Sequence, residues 1–337
     1  MQGTAFLPVY TLAAGPGLGD DSPMTDLLLH QLTSLYGPAA GKSAAAQLAT
    51  LLASHRTRSS TPALHPTSAL SEADAILITY ADQVREPDQT PLHTLADFAS
   101  RYLRDSVSAI HLLPFYPWSS DDGFSVKDFF AVDPALGTWA DIDRFRPHFD
   151  LMFDAVFNHM SAQSEWFQQF LADDPRRRDF FVTVEGTPDL SPVVRPRALP
   201  LLTEFPAASG SKQVWTTFSA DQVDLNFKNP DVLLATLEAL LFYVQRGAKF
   251  IRLDAIAYLW KETGTSCIHR PQTHLIIQLM RAVLDEVAPH VLLITETNVP
   301  HRDNISYFGD GTNEAQLVYN FSLPPLTLHS LQTGDAT

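Results

Sequence analysis

Arg252 and Asp254 lie two residues apart in the run Gly247-Ala248-Lys249-Phe250-Ile251-Arg252-Leu253-Asp254. Phe250, Ile251 and Leu253 give that run the composition of a buried strand, and a spacing of two puts the cation and the carboxylate on one face. Charges on a buried face are costly unless something compensates them. The pair is therefore either a structural ion bridge or part of a strand-end site facing a substrate. Three further apolar runs end in the same way. Asp154-Ala155-Val156-Phe157 leads to Asn158-His159, Val291 to Thr295 leads to Glu296, and Leu112-Leu113-Pro114-Phe115 leads through Ser119-Ser120 to Asp121-Asp122-Gly123-Phe124.

These polar groups have to be positioned by the elements around them. Strands are expected at Ala75–Tyr80 (buried), Val107–Leu113, Leu151–Phe157, Ala248–Asp254, Val291–Thr295 and Gln316–Phe321. Helices are expected at Thr94–Arg104, Trp139–Phe145, Asp231–Gln245, Gln272–Val287 and from Pro324 to Leu331. Alternating apolar strands and helices are the pattern of a parallel sheet with helical crossovers. Periodicity alone allows an open doubly wound sheet or an eight-fold barrel. A dinucleotide-binding sheet needs a Gly-x-Gly-x-x-Gly turn after an early strand, and Tyr80 is followed by Ala81-Asp82-Gln83. Polar residues gathered at the carboxyl ends of parallel strands are what a barrel active site requires.

Two regions stand apart from this rhythm. Thr25–Tyr36 and Ser43–Ser54 read as helices separated by Gly37-Pro38, followed by a Ser/Thr/Pro-rich linker at Ser59–Ser68. Residues 160–226 are Pro-rich with short elements only, including a helix near Ser164–Ala172. The expected division is 1–70 as a helical extension and linker, 71–159 as the first part of a barrel, 160–226 as an inserted domain and 227–337 as the second part.

The chain has 337 residues with 45% hydrophobic side chains, enough for a sizeable core, and a formal net charge of -15 that argues against a nucleic-acid partner. Its single cysteine, Cys267, rules out a disulfide within one chain and is expected to be a buried structural residue. No apolar run reaches roughly 18 residues, and Met1 to Gly19 has no basic stretch of the kind that opens a signal peptide. A soluble, cytoplasmic protein without membrane contact is expected.

In this order, Asp-x-Val-x-Asn-His at 154–159, Gly-x-x-x-x-Arg-x-Asp at 247–254 and the later Glu296 resemble signatures of the α-amylase family, glycoside hydrolase family 13. Ile78-Thr79-Tyr80-Ala81-Asp82, Asp121-Asp122-Gly123-Phe124, Asn158-His159-Met160-Ser161, Lys261-Glu262-x-Gly264-Thr265-Ser266-Cys267 and Leu323-Pro324-Pro325-Leu326 are similar to its sucrose phosphorylase branch. The helical extension and Glu296-Thr297-Asn298-Val299-Pro300-His301 look more like the glucosylglycerate-type phosphorylases of that branch.

The resemblance implies a (β/α)8 barrel with a small domain inserted after strand three. It implies a retaining glucoside phosphorylase that moves an α-glucosyl unit from sucrose or a related small glucoside to inorganic phosphate. In that scheme Asp254 matches the nucleophile and Glu296 the acid/base. Arg252 matches the cation that orients the nucleophile, His159 and Asp121 match donor-subsite residues, and Tyr258 lies toward the acceptor. Asp154 is read as ordering its strand and loop. Asn158 matches a calcium ligand of many amylases, but the phosphorylase branch generally lacks that metal, so no metal or cofactor is expected. Phe205 and Trp215 are candidates to wall the site.

The resemblance also implies strands seven and eight, a third carboxylate and a phosphate-binding arginine, none of which these residues contain. The expectation is an incomplete barrel, weakly active or inactive alone, whose partner is a chain carrying the rest of the barrel. The alternatives are an α-glucosidase or transglucosidase, or a non-catalytic sugar-binding remnant.

Overall fold

A computed structural model describes residues 23–58 and 70–335. The Met1–Gly19 stretch and the Ser59–Ser68 linker lie outside the described residues. In chain order the elements are α1 (Pro23–Arg58), β1 (Ile76–Thr79), α2 (Pro91–Tyr102), β2 (Ala109–Leu112), α3 (Trp139–Asp143), β3 (Asp150–Ala155), β4 (His159–Ser161), α4 (Glu165–Leu171), β5 (Thr183–Val184), β6 (Leu202–Ala207), β7 (Gly210–Trp215), β8 (Gln222–Asp224), α5 (Pro230–Gln245), β9 (Ala248–Leu253), α6 (Pro271–Val287), β10 (Leu292–Thr295), α7 (His301–Asn304), β11 (Leu317–Val318) and α8 (Leu323–Thr333).

Six strands form one parallel sheet in the order β1-β2-β3-β9-β10-β11. Each new strand is added beside the previous one and the order never reverses, whereas a doubly wound sheet turns back at a switch point. The sheet is curled into a half-barrel. All the carboxyl ends of its strands therefore open on one rim. Side chains alternate across a strand. Ile110, Leu151, Phe153, Ile251 and Leu293 accordingly join the main core with the helices, while Ala109, Met152, Phe250 and Leu292 form a second apolar cluster on the other face.

The strand expected to be buried at Ala75–Tyr80 is not: Ile78 in β1 is 51% exposed. Among the described residues β1 pairs only with β2, so it is an edge strand with one open face. The strand expected at Gln316–Phe321 is shorter, Leu317–Val318. The helix at the end of the described chain forms, but Leu326 and Leu331 on it are 62% and 79% exposed.

Between β3 and β9 the rhythm of the sheet is replaced by antiparallel pairing. There β5, β7 and β6 make a three-stranded sheet, and β4 pairs with β8 so that His159 faces Asp224. Helix α1 is broken at Gly37, whose φ of 78° and ψ of 170° are non-helical, and Pro38 adds no N–H to bridge the break. Beyond the break the chain returns close to the first half, and a Cβ added at Gly41 would meet Thr33 Cα at 2.5 Å. Helix α1 lies against α5 and α6, with the Tyr36 hydroxyl donating to Phe227 O at 3.0 Å and Arg56 paired to Glu286. This explains why α5 buries Val232, Leu233, Leu237, Leu240, Leu241 and Tyr243 around its circumference. One side meets the sheet and the other meets α1, as expected for a helix apolar all round.

Candidate active site

The register of the sheet assembles the charges. Asp154 near the end of β3 is opposite Arg252 on β9, and Arg252 is opposite Ile294 on β10, two residues before Glu296. The Arg252 guanidinium donates from Nη1 to Asp154 Oδ1 at 2.5 Å and to Asp254 Oδ1 at 2.8 Å. Its Nη2 stands 4.0 Å from Glu296 Oε2. The cation is also flanked by two rings, its Cζ lying 5.3 Å from the centroid of Phe124 and 5.4 Å from that of Tyr319. Asp254 and Arg252 are buried, so the compensation that such charges need comes from one another.

Asp154 is fully buried and does more than order its loop. His111 Nε2 contacts its Oδ2 at 2.8 Å, so a histidine, an aspartate and an arginine form a continuous chain beneath Asp254. Burial pushes the Asp154 carboxyl up, but His111 and Arg252 outweigh it and hold it below its ordinary value. Asp254 and Glu296 behave differently. Burial raises the Asp254 carboxyl against the pull of Arg252 and His159. Burial and then the Asp254 charge raise Glu296, opposed by Arg252 and by the Ala255 N–H that donates to Glu296 Oε2 at 3.2 Å. The arginine is hydrogen-bonded to Asp254 and only near Glu296. Both carboxyls are raised, and Asp254 is the one whose charge Arg252 compensates through a direct hydrogen bond.

His159 is buried at the start of β4. Its Nε2 lies 2.9 Å from Phe124 O, which can only accept, so that nitrogen carries the proton. Its Nδ1 then accepts from Asn158 Nδ2 at 3.2 Å. Burial lowers its pKa despite Asp224 and Asp254, so the ring is neutral. Asp121 sits on a turn in which Asp121, Asp122 and Gly123 all have positive φ, 56°, 50° and 102°. Left-handed backbone costs an ordinary residue roughly 1–2 kcal/mol, and aspartate tolerates it better than most. Asp121 accepts from Arg197 Nη2 at 3.1 and 3.0 Å and from Gln222 Nε2 at 2.9 Å. Tyr258 lies edge-on to Phe218 with centroids 5.6 Å apart, and Phe218 in turn lies 5.2 Å from His159. Burial and then the Glu296 charge push the Tyr258 hydroxyl up to about 12.

Asn158 gives its carbonyl oxygen to a lysine. Lys261 Nζ donates to it at 2.7 Å and stands 2.6 Å from Asp224 Oδ2, all three residues being buried. A calcium ion liganded by Asn158 would face that ammonium, so the residues present do not fit one. Replacing Lys261 with Met is expected to cost about 3–5 kcal/mol, the range for removing one partner of a buried ion pair. Denaturant unfolding checks this, and an unchanged midpoint would show that Asp224 does not need the cation.

The structure thus brings Asp254, Glu296, Arg252, His159, Asp121 and Tyr258 to one rim. Phe205 and Trp215 do not wall it. Phe205 packs edge-on against Phe167 at 4.9 Å, and Trp215 is buried with Val193, Leu201 and Cys267. The aromatic beside the site is Phe218. The sequence reading also passed over His111, Tyr319, Arg197, Gln222 and Lys261 as site-forming residues. His111 had a signal, a titratable residue inside the buried run Ala109–Leu112. Arg197 and Gln222 come from irregular or very short elements that no periodicity marks.

The profile described as alpha amylase, catalytic domain, matches residues 101–336. The chain is 60% identical over 276 residues to a glucosylglycerate phosphorylase of Allomeiothermus silvanus, covering 82% of this chain and 50% of that protein. It is 55% identical over 262 residues to the glucosylglycerate phosphorylase of Escherichia coli, covering 77% and 47%. Among solved structures it resembles sucrose 6F-phosphate phosphorylase from Thermoanaerobacter thermosaccharolyticum, with a TM-score of 0.70 at 28% identity over 79% of this chain and 55% of that one. The chain spans about half the length of these relatives. With its sequential parallel sheet, its rim of carboxylates and a profile match over most of its length, the chain belongs to the α-amylase family.

Proposed function

We propose that this chain carries the glucosyl-transferring centre of a retaining glucoside phosphorylase, with glucosylglycerate as the donor ahead of sucrose. The observation that carries the reading is the unequal sharing of Arg252, bonded to Asp254 at 2.8 Å and 4.0 Å from Glu296. It leaves Asp254 the better compensated of the two charges, which suits a nucleophile beside an acid whose pKa burial and the Asp254 charge raise. Two carboxyls within reach of one guanidinium also suit the separation of about 5–5.5 Å that retention requires.

In the first step Asp254 forms a bond to the anomeric carbon as the glycosidic oxygen leaves with the proton of Glu296. In the second, a phosphate oxygen displaces Asp254, Glu296 takes back a proton, and α-glucose 1-phosphate is released. Asp121 and His159 line the donor subsite, Arg252 orients Asp254, and Tyr258 faces the acceptor. Residues 160–226 act as an inserted domain that supplies Gln222 and Arg197 to that subsite, and α1 acts as a brace against α5 and α6. The Lys261 ammonium supports a metal-free site. The names of the relatives support glucosylglycerate, small sugars and phosphate as partners. The second apolar cluster of the sheet supports further barrel units covering that face.

The test incubates the chain, alone and mixed with the remaining barrel units of a glucosylglycerate phosphorylase, with glucosylglycerate and phosphate. Phosphate-dependent release of α-glucose 1-phosphate is expected. Glucose release indifferent to phosphate would favour a glucosidase, and calorimetric glucose binding without turnover would favour a sugar-binding remnant. The pH profile has an expected sign as well. Glu296 must be protonated at the first step and its pKa is raised. The rate of the first step therefore holds above the ordinary carboxylate range and falls as pH rises through the raised value. Glu296→Gln should remove that limb, and a limb surviving in the variant would reassign the acid.

A further inference from the structure

Four serine hydroxyls converge on one carboxylate next to the site. Asp221 Oδ2 accepts from Ser119 Oγ and Ser120 Oγ at 2.5 Å each and from Ser125 Oγ at 2.8 Å. Ser161 Oγ lies 3.4 Å from Asp221 Oδ1 and 2.6 Å from Ser119 Oγ. The Asp221 carbonyl accepts from Ala162 N at 2.8 Å and lies 3.0 Å from Ser125 Oγ, whose single proton it shares with Oδ2. No single catalytic group requires this arrangement, yet the serines are not scattered. Ser119, Ser120 and Ser125 flank the turn of consecutive positive-φ residues that carries Asp121, and Ser161 lies on β4, two residues after His159.

A left-handed turn at two successive non-glycine residues persists only where its surroundings over-determine it. Inside the turn, Phe124 N donates to Asp121 O at 3.0 Å and Ser125 N to Ser120 O at 3.2 Å. From outside, Arg197 holds the Asp121 carboxylate and His159 the Phe124 carbonyl, and two adjacent residues, Asp221 and Gln222, add a further restraint. Asp221 grips the flanks of the turn, while Gln222 reaches its tip, donating to Asp121 Oδ2 at 2.9 Å.

We propose that Asp221 is a positioning residue for the donor subsite: by gathering Ser119, Ser120, Ser125 and Ser161 it holds the left-handed turn that presents Asp121 to the sugar. This rests on the reading of Asp121 and His159 as donor-subsite groups. The carboxylate suits the task because it accepts from several hydroxyls at once. Burial raises the Asp221 carboxyl, and the hydroxyls of Ser119, Ser120 and Ser125 outweigh that and keep it ionised.

The test compares the full chain with Asp221→Ala, Asp221→Asn and Ser120→Ala by amide hydrogen exchange, and measures α-glucose 1-phosphate binding by calorimetry. Losing hydrogen bonds to a charged acceptor corresponds to roughly tenfold or more in an equilibrium. Asp221→Ala should speed exchange across residues 119–126 by at least about tenfold and weaken α-glucose 1-phosphate by a similar factor. Exchange in β9 and β10 should stay unchanged. Asp221→Asn, whose amide oxygen still accepts, should recover much of both, and Ser120→Ala should show a smaller effect of the same kind. Unchanged exchange at 119–126 in Asp221→Ala, faster exchange there with unaltered affinity, or equal loss of protection throughout the sheet would each overturn the proposal. Should the unsubstituted chain bind no α-glucose 1-phosphate even with the remaining barrel units present, the glucosyl-transfer reading fails, while the exchange comparison still decides whether Asp221 holds the turn.

Discussion

Asp254→Asn is expected to lower the proposed glucosyl transfer by about 10⁴-fold or more, the scale seen when a member of a catalytic unit is removed. The amide is nearly isosteric and can still meet Arg252, so the fold should survive. What it loses is the negative charge that the proposed mechanism directs at the anomeric carbon. The geometry makes the expectation specific. Arg252 lies on the same strand two residues earlier and holds Asp254 at 2.8 Å without neutralising it by proton transfer, because the guanidinium keeps its proton throughout the accessible range. The check has two parts, turnover of glucosylglycerate in phosphate, and mass analysis after exposure to an activated α-glucosyl donor whose second step is slow. The unsubstituted chain should gain one glucosyl unit on the peptide containing Asp254, and the variant none. A labelled peptide in Asp254→Asn, or one mapping to Glu296, would mean that another residue is the nucleophile.

Arg252→Met is expected to be the most destabilising single change in the site. The arginine is the cation shared by Asp154, Asp254 and Glu296. Its removal leaves buried carboxylates facing one another, and breaking a buried pair in this way costs about 3–5 kcal/mol. The deficit should depend on pH, with a sign that follows from the shifts. In the unsubstituted chain the depressed Asp154 contributes stability above the ordinary carboxylate range, lost as pH falls through its folded value. Asp254 and Glu296 are already raised, and losing Arg252 raises them further. A raised acid destabilises the fold as pH climbs through its folded value. The gap between variant and parent should therefore be widest near about pH 7 and narrow toward about pH 4, where unfolded carboxylates also protonate. Equal gaps in unfolding midpoint at both ends would show that the carboxylates are compensated by something other than Arg252.

Both expectations draw on residues whose importance could be read in one dimension. A charge two places from another inside an apolar run is an anomaly with few explanations, and Asp154, Arg252, Asp254 and Glu296 each end or punctuate such a run. The helices and strands were legible for the same reason. Period-3.6 burial is written by the residues that face the core, as in α6, and a short unbroken apolar run marks a strand buried along its length, as in β9. The break of α1 at Gly37 was equally local, a backbone conformation available to glycine followed by a proline that offers no N–H. The failures have their own cause. The apolar composition of Ile76–Thr79 predicts a strand, but burial depends on how many neighbours that strand has, and β1 has one edge open among the described residues. Phe205 and Trp215 have the composition of a sugar-facing wall, but side-chain direction in the short antiparallel sheet turns them into its packing.

The sequence by itself determined the alternation of strand and helix, the family, and which carboxylates end which strands, because these depend on residue type and near-neighbour spacing. Only the tertiary structure decided what those groups touch. His111 beneath Asp154, the lysine in the cradle of Asn158 and Asp224, Gln222 and Arg197 on Asp121, and the serines around Asp221 join residues between 37 and 103 positions apart. Parallel register and the pairing of β4 with β8 bring them together. The physical reason is that the desolvation of a buried charge is settled by whichever partner the fold delivers, and separation along the chain sets no limit on that partner.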